Sequence, residues 1–165
     1  MSSTDFSPGL AGVVAFETEI AEPDKDGGEL RYRGVNIEDL VGKVPFEQVW
    51  GLLVDGSLHP GLPYEHVDLE RRTGSFTGDL QSSLAALSGE WKLGQFIDID
   101  DEQAKEDLRR LSAAALSIVA QSARGADLPP VPRETVAEGQ TAAERFVLEW
   151  RGRVRVQPEE AMRHE

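Results

Sequence analysis

Few residues in this chain are of a type that performs chemistry unaided, and their spacing matters more than their number. The histidines are His59, His66 and His164. His59 and His66 fall in a stretch, 57–76, punctuated by Pro60, Gly61, Pro63 and Gly74, and both read as solvated loop residues. His164 is the penultimate residue and reads as frayed. None belongs to an HExxH or other metal-ligand spacing. The acidic run DIDDE, with Asp98, Asp100, Asp101 and Glu102, invites a calcium loop, but Gln103 stands at the sixth position, where an EF-hand needs glycine. Acidic residues at the positive end of a helix are the expected reading. GSFTG at 74–78 lacks the Lys-Ser/Thr ending of a phosphate-binding loop, and neither GxGxxG nor GxSxG occurs. Arg31 and Arg33 in LRYRGVNIEDL pose a choice between a phosphate-binding corner and a turn that holds a hairpin. Arg151, Arg153 and Arg155 alternate in a manner typical of a solvated segment. No catalytic, cofactor-binding or metal-binding residue is assigned from these patterns.

The bulk properties narrow the classes further. The chain has 165 residues and a formal net charge of -13. That length suits one domain able to bury a core. The charge disfavours nucleic acid and anionic lipid as partners. Cysteine is absent, which removes disulfides, thiolate catalysis and Cys-ligated metals and fits a cytoplasmic protein. No run approaches the roughly 20 apolar residues of a membrane helix, and MSSTDFSPG has no signal-peptide pattern.

The elements that must position these residues are mostly helical. Residues 13–34 read as a hairpin: Val14, Phe16, Thr18 and Ile20 share one parity, Leu30 and Tyr32 share one parity on the return strand, and Glu17 and Glu19 oppose Arg31 and Arg33. Asn36 caps a short helix that Gly42 ends. Pro45 opens a second, with Phe46, Val49, Trp50 and Leu53 inward and Gly56 as its stop. A third covers about 79–91, with Leu80, Leu84, Leu87 and Trp91 on one face. A fourth covers about 101–123, with Asp100 and Gln103 as a capping box; its inward stripe is Ala104, Leu108, Leu111, Ala115, Ile118, Val119 and Ser122. LPPVP at 128–132 is a stiff connector. A last helix, about 139–151, turns Ala143, Phe146, Val147 and Trp150 inward. The tryptophans read as packing residues. From 153 to 165 the apolar pattern fails, and disorder is expected. Strands and helices do not alternate, so the fold class is mainly α with one N-terminal β-hairpin.

Residues 9–56, GLAGVVAFETEIAEPDKDGGELRYRGVNIEDLVGKVPFEQVWGLLVDG, resemble the N-terminus of citrate synthases of the bacterial and actinobacterial type. The matching positions are Leu30, Tyr32, Arg33, Gly34, Ile37, Glu38, Asp39, Leu40, Phe46, Glu47, Val49, Leu52, Leu53 and Gly56. DIDDEQAKEDLRRLSAAALSIVAQSARG and AERFVLEWRG look like the same family's large-domain helices, so the resemblance covers about 1–152.

The resemblance implies the N-terminal part of a large helical domain, and a parent reaction that condenses acetyl-CoA with oxaloacetate to give citrate and CoA, without metal or other cofactor. It implies a truncated chain, because the family's catalytic motifs lie downstream: a His-x-x-N-A-S-T-like helix, a G-P-L-H-G-G-A-like loop and a late aspartate. None occurs here, so no catalytic residue carries over and the isolated chain is expected to be inactive. A split-enzyme half and a non-catalytic partner of a full-length synthase are the alternatives. Methylcitrate synthase parentage stays open. The expected partners are a second copy or a citrate synthase chain. Within this resemblance Arg31 and Arg33 are hairpin and interface residues rather than ligand clamps.

Overall fold

The computed structural model describes residues 17–23, 28–70 and 72–153. A small antiparallel sheet precedes a helical body. Its strands are β1 (Ala21–Pro23), β2 (Leu30–Tyr32) and β3 (Val35–Asn36), in that spatial order. Tyr32 pairs with Ala21 on one side and Val35 on the other. The hairpin therefore starts later than its alternation predicts. Thr18 and Ile20 lie exposed ahead of β1, and Val14 and Phe16 lie outside the described residues.

Arg33 and Gly34 form the two-residue turn between β2 and β3, with φ of 45° and 80°. Two consecutive positive φ values are the mark of the turn whose twist matches a hairpin. Arginine is an unusual occupant, and its side chain is engaged elsewhere: Nε donates to the Leu53 carbonyl at 3.0 Å, and Nη1 lies 3.8 Å from Glu19. Of the expected cross-strand pairs, Arg33 with Glu19 is present, while Arg31 binds its near neighbour Glu29 at 2.8 Å.

The helices are α1 (Ile37–Leu40), α2 (Phe46–Asp55), α3 (Phe76–Glu90), α4 (Asp101–Arg124), α5 (Arg133–Ala137) and α6 (Ala142–Arg151). Their ends follow local chemistry. Asn36 accepts from the Glu38 amide at 3.0 Å, and Asp100 from the Gln103 amide at 2.8 Å. Gln103 does not complete a capping box, since its amide turns to Asp107. The full reciprocal box sits instead at α6, between Thr141 and Glu144, and places that helix three residues later than expected. The short α5 follows Pro132 and buries Val136, an element that the proline-rich connector concealed.

The core is centred on Leu87, Ala114 and Ile118, with Val67, Leu69, Leu80, Leu84 and Trp91 packed around it. The α3 face is the one its spacing predicts. The stripes of the other helices are rotated. On α4 the buried positions include Arg109, Ala113, Ala114, Ser117, Ala120 and Gln121, while Leu108 is 45% exposed. That helix is covered by α3, by α6 and by the irregular segment 62–73, so its second half is buried over a wide arc that takes in polar residues. On α6 the buried positions are Ala142, Leu148 and Glu149; Phe146, Val147 and Trp150 are half-buried and Ala143 is exposed. On α2, Gly51 and Leu52 are buried and Phe46 is exposed. A methyl group on Gly51 would stand 2.9 Å from the Ser57 carbonyl oxygen, and one on Gly61 would stand 2.8 Å from that of Glu47. The chain after α2 thus doubles back against the helix backbone, an approach that only glycine permits.

Candidate functional site

The densest polar cluster among the described residues lies where segment 62–73 crosses α4 and α6. The described residues of this segment are in neither helix nor strand, so their backbone groups need other partners. Side chains of α4 supply them. Ser117 Oγ accepts from the Val67 amide at 3.3 Å, and Gln121 Oε1 from the Leu69 amide at 3.2 Å. Gln121 Nε2 donates to the Val67 carbonyl. Ser117 and Gln121 are one helical turn apart and so face the same way.

Glu149 of α6 meets the same side chains. Its Oε1 accepts from Ser117 Oγ at 2.7 Å and from Gln121 Nε2 at 3.0 Å, and lies 3.0 Å from His66 Nδ1. The His66 contact is close but off-line for a hydrogen bond, which leaves charge as its main attraction. His66 Nε2 lies 3.3 Å from Asp68. The His66 side chain is 8% exposed, which corrects its reading as a solvated loop residue: a buried carboxylate draws it inward. Glu149 beside it raises the imidazole pKa above the ordinary value, burial opposes that shift, and Asp68 reinforces it.

The arrangement differs from a nucleophilic triad. In a triad the hydroxyl donates to the imidazole. Here Ser117 donates to the carboxylate, and the imidazole lies between Glu149 and Asp68 rather than beside a hydroxyl donor. The cavity beside Glu149, lined by Tyr64, Ser117, Arg145 and Phe146 among others, holds about 20 Å³, room for a single water.

A second carboxylate anchors the far end of the segment. Asp79, buried in the first turn of α3, accepts from Thr73 Oγ1 at 2.6 Å, from the Thr73 amide at 3.2 Å and from Ser122 Oγ. Ser122 and Thr73 hold its pKa below the usual carboxylate value. On the other flank of α4, Arg109 Nη2 donates to both carboxylate oxygens of Asp55 at 2.8 and 2.9 Å, and Nη1 meets Glu106. This charge-assisted contact joins α2 to α4.

The remaining candidates fall apart. His59 is exposed, and His164 and Arg155 lie outside the described residues, as does the expected disordered tail beyond Arg153. Asp98, Asp100, Asp101 and Glu102 stand exposed at the start of α4, and no group of three metal-ligating residues occurs among the described residues. Trp50, Trp91 and Trp150 are half-buried, with the guanidiniums of Arg109, Arg110 and Arg151 at 5.9, 3.6 and 4.2 Å from their rings. Sequence reasoning missed the His66, Ser117, Gln121 and Glu149 cluster altogether. The one signal was Ser117 and Gln121 at i and i+4 beside the core residue Ile118.

The sequence profile described as citrate synthase, C-terminal domain, matches residues 9–164. The chain belongs to the citrate synthase family. It is 53% identical over 150 residues to "Putative citrate synthase 2" of Mycobacterium tuberculosis, covering 90% of this chain and 40% of that protein. It is 30% identical over 142 residues to the citrate synthase of Haloferax volcanii, covering 74% of this chain and 38% of that protein. The 2-methylcitrate synthase 2 of Corynebacterium glutamicum is 40% identical over 57 residues, covering 34% of this chain and 15% of that protein. The chain thus spans about 40% of the length of the mycobacterial relative. No helix among the described residues is long and apolar enough to cross a membrane.

Proposed function

We propose that these 165 residues form the N-terminal helical scaffold of a citrate synthase, the enzyme that condenses acetyl-CoA with oxaloacetate to citrate and CoA, and do not turn over substrate by themselves. The observation that carries the reading is the 53% identity across 90% of this chain against only 40% of the relative. The condensation needs a base to take a methyl proton and groups to stabilise the enol. The family's residues for those steps have no counterpart here. His66, engaged with Glu149 and Asp68, is already committed to the scaffold. Neither a metal nor another cofactor enters this reading, and a cytoplasmic setting goes with it.

An open apolar face supports the view that further polypeptide of the same family completes the fold. Phe46, Leu116, Ala142, Ala143, Phe146 and Val147 line a hollow of about 280 Å³, and Phe96 and Ile97 are 81% and 88% exposed. That completion can come from a continuous chain, or from a separate one as in a split enzyme or a regulatory partner. Assaying the purified chain for CoA release from acetyl-CoA and oxaloacetate tests both points. No turnover is expected from the chain alone. Turnover above about 1 s⁻¹, ordinary for an enzyme, would overturn the scaffold reading. Activity appearing only on mixing with a chain that carries the downstream motifs would favour the split enzyme.

A further inference from the structure

We propose that His66 and Glu149 form a protonation-controlled latch that fastens segment 66–69 to α4 and α6, closed while the imidazole is charged and loosened when it loses its proton. The placement of two carboxylates about the ring favours the charge. Both ring nitrogens face carboxylates, Nδ1 towards Glu149 at 3.0 Å and Nε2 towards Asp68 at 3.3 Å. A neutral imidazole has no charge to attract either carboxylate, and one of its nitrogens keeps a lone pair in an anionic surrounding. The imidazolium is attracted to both.

The charged and titratable groups around the latch are few. Glu149 comes from α6 and Asp68 from the segment itself, while α4 offers the neutral Ser117 and Gln121. Beyond these stands Tyr64, whose pKa is raised chiefly by burial and then by Glu149, with Arg133 and Arg145 opposing. Tyrosine does not titrate near neutrality, which leaves the imidazole as the group that changes charge there.

What the latch holds is the polar fastening of this stretch among the described residues. The Val67 and Leu69 amides bind Ser117 and Gln121, and the latter two residues also bind Glu149. Val67 and Leu69 lie on the core residues Leu87, Ala114 and Ile118. The neighbouring hollow of about 330 Å³, bordered by Val67, Leu69, Ser82, Ala86 and Leu87, would widen as the segment lifts. Because the folded pKa of His66 is raised, the latch contributes fully below the ordinary histidine value and its contribution is lost as pH rises through the folded value.

The test uses the full chain. The titration midpoint of His66 is first located by NMR of the ring protons, and amide exchange is then measured about one pH unit below and above it, corrected for intrinsic rates. Protection at Val67 and Leu69 should fall at least about three-fold across the midpoint, while the Thr73 amide, held by Asp79, should not change. The substitution His66→Gln should abolish the pH dependence. Unchanged protection at Val67 and Leu69, or a dependence that survives in His66→Gln, would overturn the latch. Should that variant fail to fold, the unmodified chain still decides: a His66 midpoint at or below about 6.5 would equally overturn it.

Discussion

Asp79 and Glu149 are both buried carboxylates on helices, and both hold the same irregular segment against α4. They do so by different chemistry. Asp79 is served by two hydroxyls and a backbone amide, none of which changes charge near neutrality, so its anchor is insensitive to pH across the physiological range. Glu149 is served by a hydroxyl, an amide and an imidazole, and the imidazole makes its end of the segment responsive. The difference teaches that a helix can fasten an unstructured strap permanently at one end and conditionally at the other, using only the choice of donor.

The largest expected effect breaks this comparison by removing what the two ends share. Ile118 is fully buried and lies between Ser117 and Ser122 on α4. Ile118→Ala should cost about 2–5 kcal/mol and lower the protection of the Val67 and Thr73 amides together. Urea unfolding with residue-resolved exchange checks it, and loss confined to one end would show that the two anchors do not share the core.

A smaller effect isolates the conditional end. Glu149→Ala leaves the Ser117 hydroxyl and the Gln121 amide without their common acceptor and the His66 ring without its nearest carboxylate. The expected cost is about 1–3 kcal/mol, with a His66 pKa that falls and Thr73 protection that stays. Ring-proton titration and urea midpoints together test this. An unchanged His66 pKa would mean that Asp68 alone sets its charge.

The smallest effect sharpens the permanent end. Ser122→Ala removes one hydroxyl donor and should cost about 1 kcal/mol. The lowered pKa of Asp79 means that its anchor contributes above the ordinary aspartate value and is lost as pH falls through the folded value. With Ser122 gone the folded value rises, so acid unfolding should begin at higher pH than in the parent chain. A circular-dichroism acid titration of both proteins reads the shift directly.

Much of this fold was legible before any coordinates. The caps at Asn36 and Asp100, the stop at Gly56, the α3 face through Leu80, Leu84, Leu87 and Trp91, and the span of α4 all follow from spacing and local hydrogen bonding. The inward faces of α4 and α6 were only partly legible. Periodicity places Ile118 and Ser122 inward, as observed, but it assumes one buried side, whereas α4 is enclosed on several and also buries Arg109, Ser117 and Gln121. Residues that periodicity sends to the core, such as Phe46, Ala143, Phe146 and Val147, instead line an open hollow.

By itself the sequence determined the helical class, the hairpin, the ends of most helices and, through its N-terminal motif run, the family. Those depend on neighbours within a few residues, where caps, turns and periodicity act. The tertiary structure alone decided that His66 is buried with its pKa raised, that Glu149 is its partner and that Asp79 is the fixed anchor. Each of these depends on groups far apart in the chain, and a side chain's burial and protonation are set by what the fold brings within a few ångströms of it.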